Sequence, residues 1–297
     1  MNIRELINKG VETISVAFPE REAREMVLLY LEDMHGIKRL THILEPSAEV
    51  SDDVAESALA AFARMASGEP IQYIIGKAHF YGREFNVSPS VLIPRPETEV
   101  LCREVINYHG RMRSVCPNPK ILDMCTGSGC IAWTLALELV GAKVTAVDIS
   151  DGALTVAGSQ DFCQEIAQTC ATSPAFIKAD VLGDVPMEIA GQSFDIIVSN
   201  PPYVMDSEKA LMRANVLEHE PHLALFVPDE DPLIFYYAVA RWASCLLAPG
   251  GIGVVEINEA LGQHTADIFR SAGFVNVEVL SDLNERDRFV RFAQKFV

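Results

Sequence analysis

Residues 120–148 read KILDMCTGSGCIAWTLALELVGAKVTAVD. A short apolar run, 120–125, meets a loop holding Gly127 and Gly129. An apolar stretch at 130–140 follows, then a second short run, 143–148, that ends in an acid. Runs of this length bounded by glycine read as buried strands, and the longer stretch between them reads as a helix. Strand, glycine loop, helix and strand form a unit that places two parallel strands side by side.

The same alternation continues outward. AFIKAD (175–180), FDIIVS (194–199) and GIGVVEI (251–257) read as further strands. Helices are expected over about 151–168, over 231–251 and over about 260–272. In the second of these Asp231 is placed to cap, Pro232 to occupy the first turn, and Gly250-Gly251 to stop the helix. VNVEVLS (275–281) and RFVRFAQ (288–294) have no helix between them, so an antiparallel hairpin is expected at one edge. The sum is a mostly parallel seven-stranded α/β sheet covered on both faces.

Upstream, residues 1–68 read as a small helical domain. REAREMVLLYLEDMHG (21–36) ends on Gly36, and SDDVAESALAAFARMASG (51–68) opens on Ser51 and closes on Gly68. Residues 69–96 read as a linker with a β-hairpin around Tyr73–Val87, and Pro94 and Pro96 lead into a helix from about Glu97 to Tyr108. The catalytic domain is then expected over 97–297.

The chain has 297 residues and a formal net charge of −17, which argues against a surface built to neutralise nucleic-acid phosphates. No leader-like or membrane-spanning apolar stretch is apparent, and the seven cysteines lack metal-ligand spacing. A cytoplasmic monomer with reduced thiols and no metal is the expectation.

The glycine loop fits two cofactor classes. Gly127, Gly129 and Ala132 match the dinucleotide pattern G-x-G-x-x-A, and Asp148 stands where an acid receives ribose hydroxyls. S-adenosylmethionine enzymes use a looser version of the same loop. Asp123, two residues before Cys125, favours the second class. A carboxylate there repels a pyrophosphate and attracts a sulfonium and an ammonium. Asp180 and Val181, at another strand tip, are candidates to line an adenine slot.

At the tip of the fourth strand stands Asn200-Pro201-Pro202-Tyr203. The prolines lack N–H groups, so the ladder cannot continue through them. The corner offers one side-chain amide, free carbonyls and one ring. Asn200 Oδ1 and the Pro201 carbonyl are placed to accept both hydrogens of a planar NH₂ group, with Tyr203 stacked on its face. That suits methylation of an amide or exocyclic amine, in which positioning supplies much of the acceleration.

Taken together, these motifs resemble the release-factor glutamine methyltransferases. GEPIQYIIG (68–76) resembles the family's linker and VLIPRPETE (91–99) its entry to the catalytic domain. LDMCTGSGCIA (122–132) resembles the cofactor loop, AVDIS (146–150) the ribose-binding strand end, SNPPYV (199–204) the substrate-amide site and ERDRF (285–289) a late motif. The resemblance implies a class I S-adenosylmethionine-dependent methyltransferase fold, Rossmann-like, behind a helical substrate-recognition domain. It also implies N5-methylation of the Gly-Gly-Gln glutamine of peptide chain release factors, with no direct nucleic-acid binding. Cofactor contacts are then expected from Asp123, Cys125, Thr126, Gly127, Ser128, Gly129, Asp148, Asp180, Val181 and Asn200. Substrate contacts are expected from Asn200, Pro201, Pro202 and Tyr203. Cys125 departs from the family's glycine, Gln160 replaces a common asparagine as an expected surface change, and EINEALGQ (256–263) alters the family's pattern. Methylation of another protein glutamine or of DNA adenine, and an inactive methyltransferase-like binding module, are the alternatives.

Overall fold

The computed structural model describes residues 1–112, 116–169, 171–282 and 285–296. In chain order the helices are α1 (Ile3–Ile14), α2 (Glu20–His35), α3 (Thr41–Leu44), α4 (Asp52–Ala66), α5 (Ile71–Ile75), α6 (Pro96–Met112), α7 (Cys130–Glu138), α8 (Asp151–Gly158), α9 (Cys163–Thr169), α10 (Ala214–His219), α11 (Ile234–Leu246) and α12 (Gly262–Ser271). The strands are β1 (Lys77–Phe80), β2 (Arg83–Asn86), β3 (Lys120–Met124), β4 (Lys143–Asp148), β5 (Ala175–Lys178), β6 (Phe194–Ser199), β7 (Val204–Met205), β8 (Phe226–Val227), β9 (Leu247–Glu256), β10 (Val275–Ser281) and β11 (Asp287–Ala293).

The chain divides into two compact units. The first comprises Met1–Lys77 with Met212–Glu220, and the second Ala78–Leu211 with Pro221–Val297. In the helical unit, Asn2 and Glu5 exchange side-chain and backbone hydrogen bonds in a capping box that starts α1. Ser51 caps α4, and Gly36 closes α2 at φ 66°. Leu6, Val27, Leu31, Phe62 and Met65 fill the core. A Cβ on Gly10 would lie 2.7 Å from the Phe62 ring, so a glycine lets the three long helices close up.

In the second unit a seven-stranded sheet runs in the order β10-β11-β9-β6-β3-β4-β5. β3 pairs in parallel with β4 and β6, β4 with β5, and β6 with β9. β11 is antiparallel to both of its neighbours. Both faces are buried. Leu122, Met124 and Ile197 pack into one core cluster, while Ile121, Ile196 and Val198 pack into the other. This explains why the strands read as continuous apolar runs rather than as alternating ones.

Several local expectations are corrected. The hairpin is tighter than Tyr73–Val87, because Pro70 starts α5 and Gly76, at φ 80°, ends it, leaving strands only at 77–86. The helix expected over 151–168 is two helices, α8 and α9. Gln160 lies in the break and is buried rather than on the surface. Its side chain accepts from Asn86 N at 2.8 Å and donates to Asn86 O at 3.0 Å and Ser128 O at 3.1 Å. Those bonds tie β2 to the glycine loop and outweigh helical continuation. Asp231 does not cap α11. It closes a turn onto Pro228 O, and the helix begins at Ile234. α11 ends at Leu246, ahead of Gly250-Gly251, because Leu247 is already paired with Phe194 in the sheet.

Candidate active site

Much of one pocket is lined from the tips of the parallel strands, with further lining from residues 90–98 and 221–235. The loop after β3 supplies Cys125, Thr126, Gly127 and Ser128. Asp148 ends β4, Asp180 and Val181 follow β5, and Asn200 and Pro202 follow β6. Ligands bind at this rim in open α/β sheets. Asp123, Gly129, Pro201 and Tyr203 are not among the lining residues.

The loop geometry follows from its dihedrals. Cys125, Gly127 and Gly129 all lie in the left-handed region, at φ 63°, 55° and 78°. A Cβ on Gly127 would meet nothing within 4 Å, so the backbone there borders open space. A Cβ on Gly129 would lie 3.0 Å from Ala157 Cβ and 3.2 Å from Trp133 Cδ1. Gly127 thus serves the pocket, and Gly129 serves the packing of α7 against α8.

Two acids hold this loop. Asp148 Oδ2 accepts from Gly127 N and Oδ1 from Ser150 N, each at 2.9 Å. Burial raises its pKa, and those backbone donors oppose the rise. Asp123 is fully buried and accepts from Thr126 Oγ1 at 2.6 Å. Burial pushes its carboxyl up to about 7, against the Thr126 hydrogen bond and with help from the Asp148 charge. Asp180 is exposed and accepts from Leu182 N at 2.9 Å, while Val181 is buried.

At the other end of the pocket, Asn200 Nδ2 donates to Thr98 Oγ1 at 3.1 Å, and Thr98 donates to Glu256 Oε2 at 2.8 Å. Tyr203 donates its hydroxyl to Glu256 Oε1 at 2.9 Å. Asn258 Nδ2 donates to Tyr203 O at 3.2 Å. Glu256 is 1% exposed, and burial raises its pKa against the Thr98 and Tyr203 hydrogen bonds. Burial likewise raises Tyr203 well above the ordinary tyrosine range.

Comparison with known proteins gives the lineage. Residues 5–76 match the PrmC N-terminal domain, and residues 111–224 match the methyltransferase small domain. A release factor glutamine methyltransferase of Flavobacterium psychrophilum is 38% identical over 98% of this chain and 99% of its own length. The enzyme of the same name from Bacteroides thetaiotaomicron is 40% identical over 94% of this chain and 95% of its own. This chain belongs to the release factor glutamine methyltransferase family. It is accordingly an S-adenosylmethionine-dependent methyltransferase. A solved protein-(glutamine-N5) methyltransferase (release factor-specific) from Alicyclobacillus acidocaldarius is 29% identical, with a TM-score of 0.42 over 71% of this chain and 99% of that one.

Sequence reasoning missed Thr98, Glu256, Asn258 and the burial of Gln160. Thr98 and Glu256 are 158 positions apart, and neither residue type announces a site. The signal available for Glu256 and Asn258 was that both fall in EINEALGQ, a stretch that departs from the family's pattern.

Proposed function

We propose that this enzyme transfers a methyl group to N5 of the Gly-Gly-Gln glutamine of peptide chain release factors, with Asn200 holding the acceptor amide. The observation that carries this reading is the Asn200–Thr98 hydrogen bond. With Nδ2 committed to Thr98, Oδ1 is the end of the Asn200 amide left to accept an N–H in the pocket. We assign the second acceptor role to the Pro201 backbone carbonyl. Tyr203, held at both its hydroxyl and its carbonyl, supplies the ring beside that corner.

An amide nitrogen is a poor nucleophile because its lone pair is delocalised. Two acceptors on its hydrogens draw density back to nitrogen and fix its direction, so positioning carries several kcal/mol of the barrier. S-adenosylmethionine supplies an electrophilic sulfonium methyl when bound. Open space beside the Gly127 backbone and the acid of Asp148 at the β4 tip suit that group. We assign the loop from Cys125 to Gly129 to its methionine part, Asp148 to its ribose, and Asp180 and Val181 to its adenine. Asp123 contributes from beneath the loop, through its hold on Thr126.

We further read residues 1–68 as the substrate-recognition domain, 69–96 as the linker and 97–297 as the catalytic domain of a cytoplasmic monomer. The net charge of −17 suits a protein partner with a basic surface rather than nucleic acid. Among the described residues, no helix is long and apolar enough to cross a membrane.

The test is methyl transfer from labelled S-adenosylmethionine to a purified release factor, beside its Gly-Gly-Gln glutamine→alanine form. Label on the wild type only is expected. Label on neither, with cofactor binding intact, would overturn the assignment.

A further inference from the structure

The Asn-Pro-Pro-Tyr corner has a weakness that its prolines do not remedy. The two ends of an asparagine side-chain amide are nearly isosteric, one a donor and the other an acceptor. Turned one way, Asn200 presents oxygen to an incoming NH₂ group. Turned the other way, it presents N–H to N–H and holds nothing. Pro201 and Pro202 stiffen the backbone, but they do not choose between these two orientations.

We propose that Thr98 and Glu256 form a positioning relay that fixes the orientation of the Asn200 amide, and that the same carboxylate holds Tyr203. The inference rests on the reading of Asn200 as the acceptor of the substrate amide. The logic is one of counting protons. An ionised carboxylate only accepts. Thr98 has one hydroxyl proton and donates it to Glu256 Oε2 at 2.8 Å. Thr98 Oγ1 is then left with acceptor capacity alone, so the end of Asn200 that approaches it at 3.1 Å is the NH₂ group. Oδ1 therefore faces away from Thr98. Tyr203 likewise donates its single proton to the other oxygen, Oε1, at 2.9 Å. One buried acid thus uses both oxygens to hold both ends of the corner.

The relay is enclosed. Thr98 is 2% and Glu256 1% exposed, so water does not readily replace either bond, and a broken link leaves a buried polar group unmatched. The parts come from three elements: Thr98 from the first turns of α6, Asn200 and Tyr203 from the turn after β6, and Glu256 from the end of β9. Replacing Glu256 by glutamine breaks the count. One of the two oxygens becomes an NH₂ donor, and where it faces Thr98 the hydroxyl proton is freed to point at Asn200 and turn its amide over.

The experiment measures kcat and KM for methyl transfer to a release factor by the full chain, with cofactor affinity by calorimetry. Thr98→Val, which keeps the shape and loses the hydroxyl, is expected to lower kcat about tenfold or more while cofactor Kd stays unchanged. Thr98→Ser is expected to restore most of the rate. Because Thr98 acts through Asn200, adding Thr98→Val to Asn200→Ala is expected to cost nothing further. Glu256→Gln is expected to show the same loss and the same non-additivity, and it carries the test if Thr98→Val fails to fold. A folded Thr98→Val or Glu256→Gln enzyme with wild-type kcat would overturn the relay, as would losses that multiply in the double variant. Wild-type turnover by Asn200→Ala would instead remove the amide-holding reading, and the relay with it.

Discussion

Gly127 donates its backbone N–H to Asp148 Oδ2 across 2.9 Å, so the loop after β3 is fastened to the tip of β4. The carboxylate that a ribose would meet is thus also the strut of the loop that borders the rest of the pocket. The other oxygen is held by Ser150 N at 2.9 Å, which leaves the acid aimed rather than free to swing.

Asp148→Ala removes the proposed ribose acceptor and the strut together. We expect it to weaken S-adenosylmethionine binding by about 1–3 kcal/mol through lost charge-assisted hydrogen bonds, as measured by calorimetry. An unchanged Kd would place the ribose elsewhere.

What was legible in the chain divides along physical lines. Strand tips and the glycine loop were readable because their signals are local: Gly127 and Gly129 within one turn, Asp148 at the end of an apolar run, Asn200 before two prolines. The seven-stranded sheet followed from the alternation of such runs with helices. Gln160 was not legible, because its role depends on Asn86 and Ser128, which the fold brings to it from 74 and 32 positions away. Asp231 looked like a cap but was drawn into a turn with Pro228. Thr98 and Glu256 were invisible for the same reason as Gln160, a long-range pairing of ordinary residues. The sequence also predicts seven free thiols. Six cysteines are free, and Cys170 lies outside the described residues.

Cys125 holds a left-handed backbone, φ 63°, without being glycine, and its half-buried side chain packs against the core beside the sheet. For a side-chain-bearing residue that conformation costs about 1–2 kcal/mol. Removing the sulfur while keeping a Cβ, as in Cys125→Ala, retains the strain and loses the packing. Cys125→Gly loses the packing and relieves the strain. We therefore expect the usual order to invert, with the glycine variant about 1 kcal/mol more stable than the alanine variant. Denaturant midpoints of the two would settle the order. The glycine variant should also bind S-adenosylmethionine at least as well as wild type.

Asp123 leads to a pH dependence whose sign can be worked out. It is fully buried, accepts from Thr126 at 2.6 Å, and its Oδ1 has no hydrogen-bond partner among the described residues. Its pKa is raised from 3.8 to about 7 in the folded protein, chiefly by burial. Between those two values the folded state holds a proton that the unfolded state has released. Stability from this group is therefore complete below the lower value and declines as pH rises through the upper one. Asp148 and Glu256, also raised by burial, tilt the whole profile in the same direction, so the contribution of Asp123 is isolated by a difference. Asp123→Asn keeps an oxygen for the Thr126 hydroxyl and cannot ionise. Urea midpoints for both proteins from pH 5.5 to pH 8 should show the variant gaining on wild type as pH rises toward 7, with the gain levelling off above it, where the folded wild type has released the proton as well. Parallel profiles would mean that Asp123 is already ionised in the folded protein across the whole range.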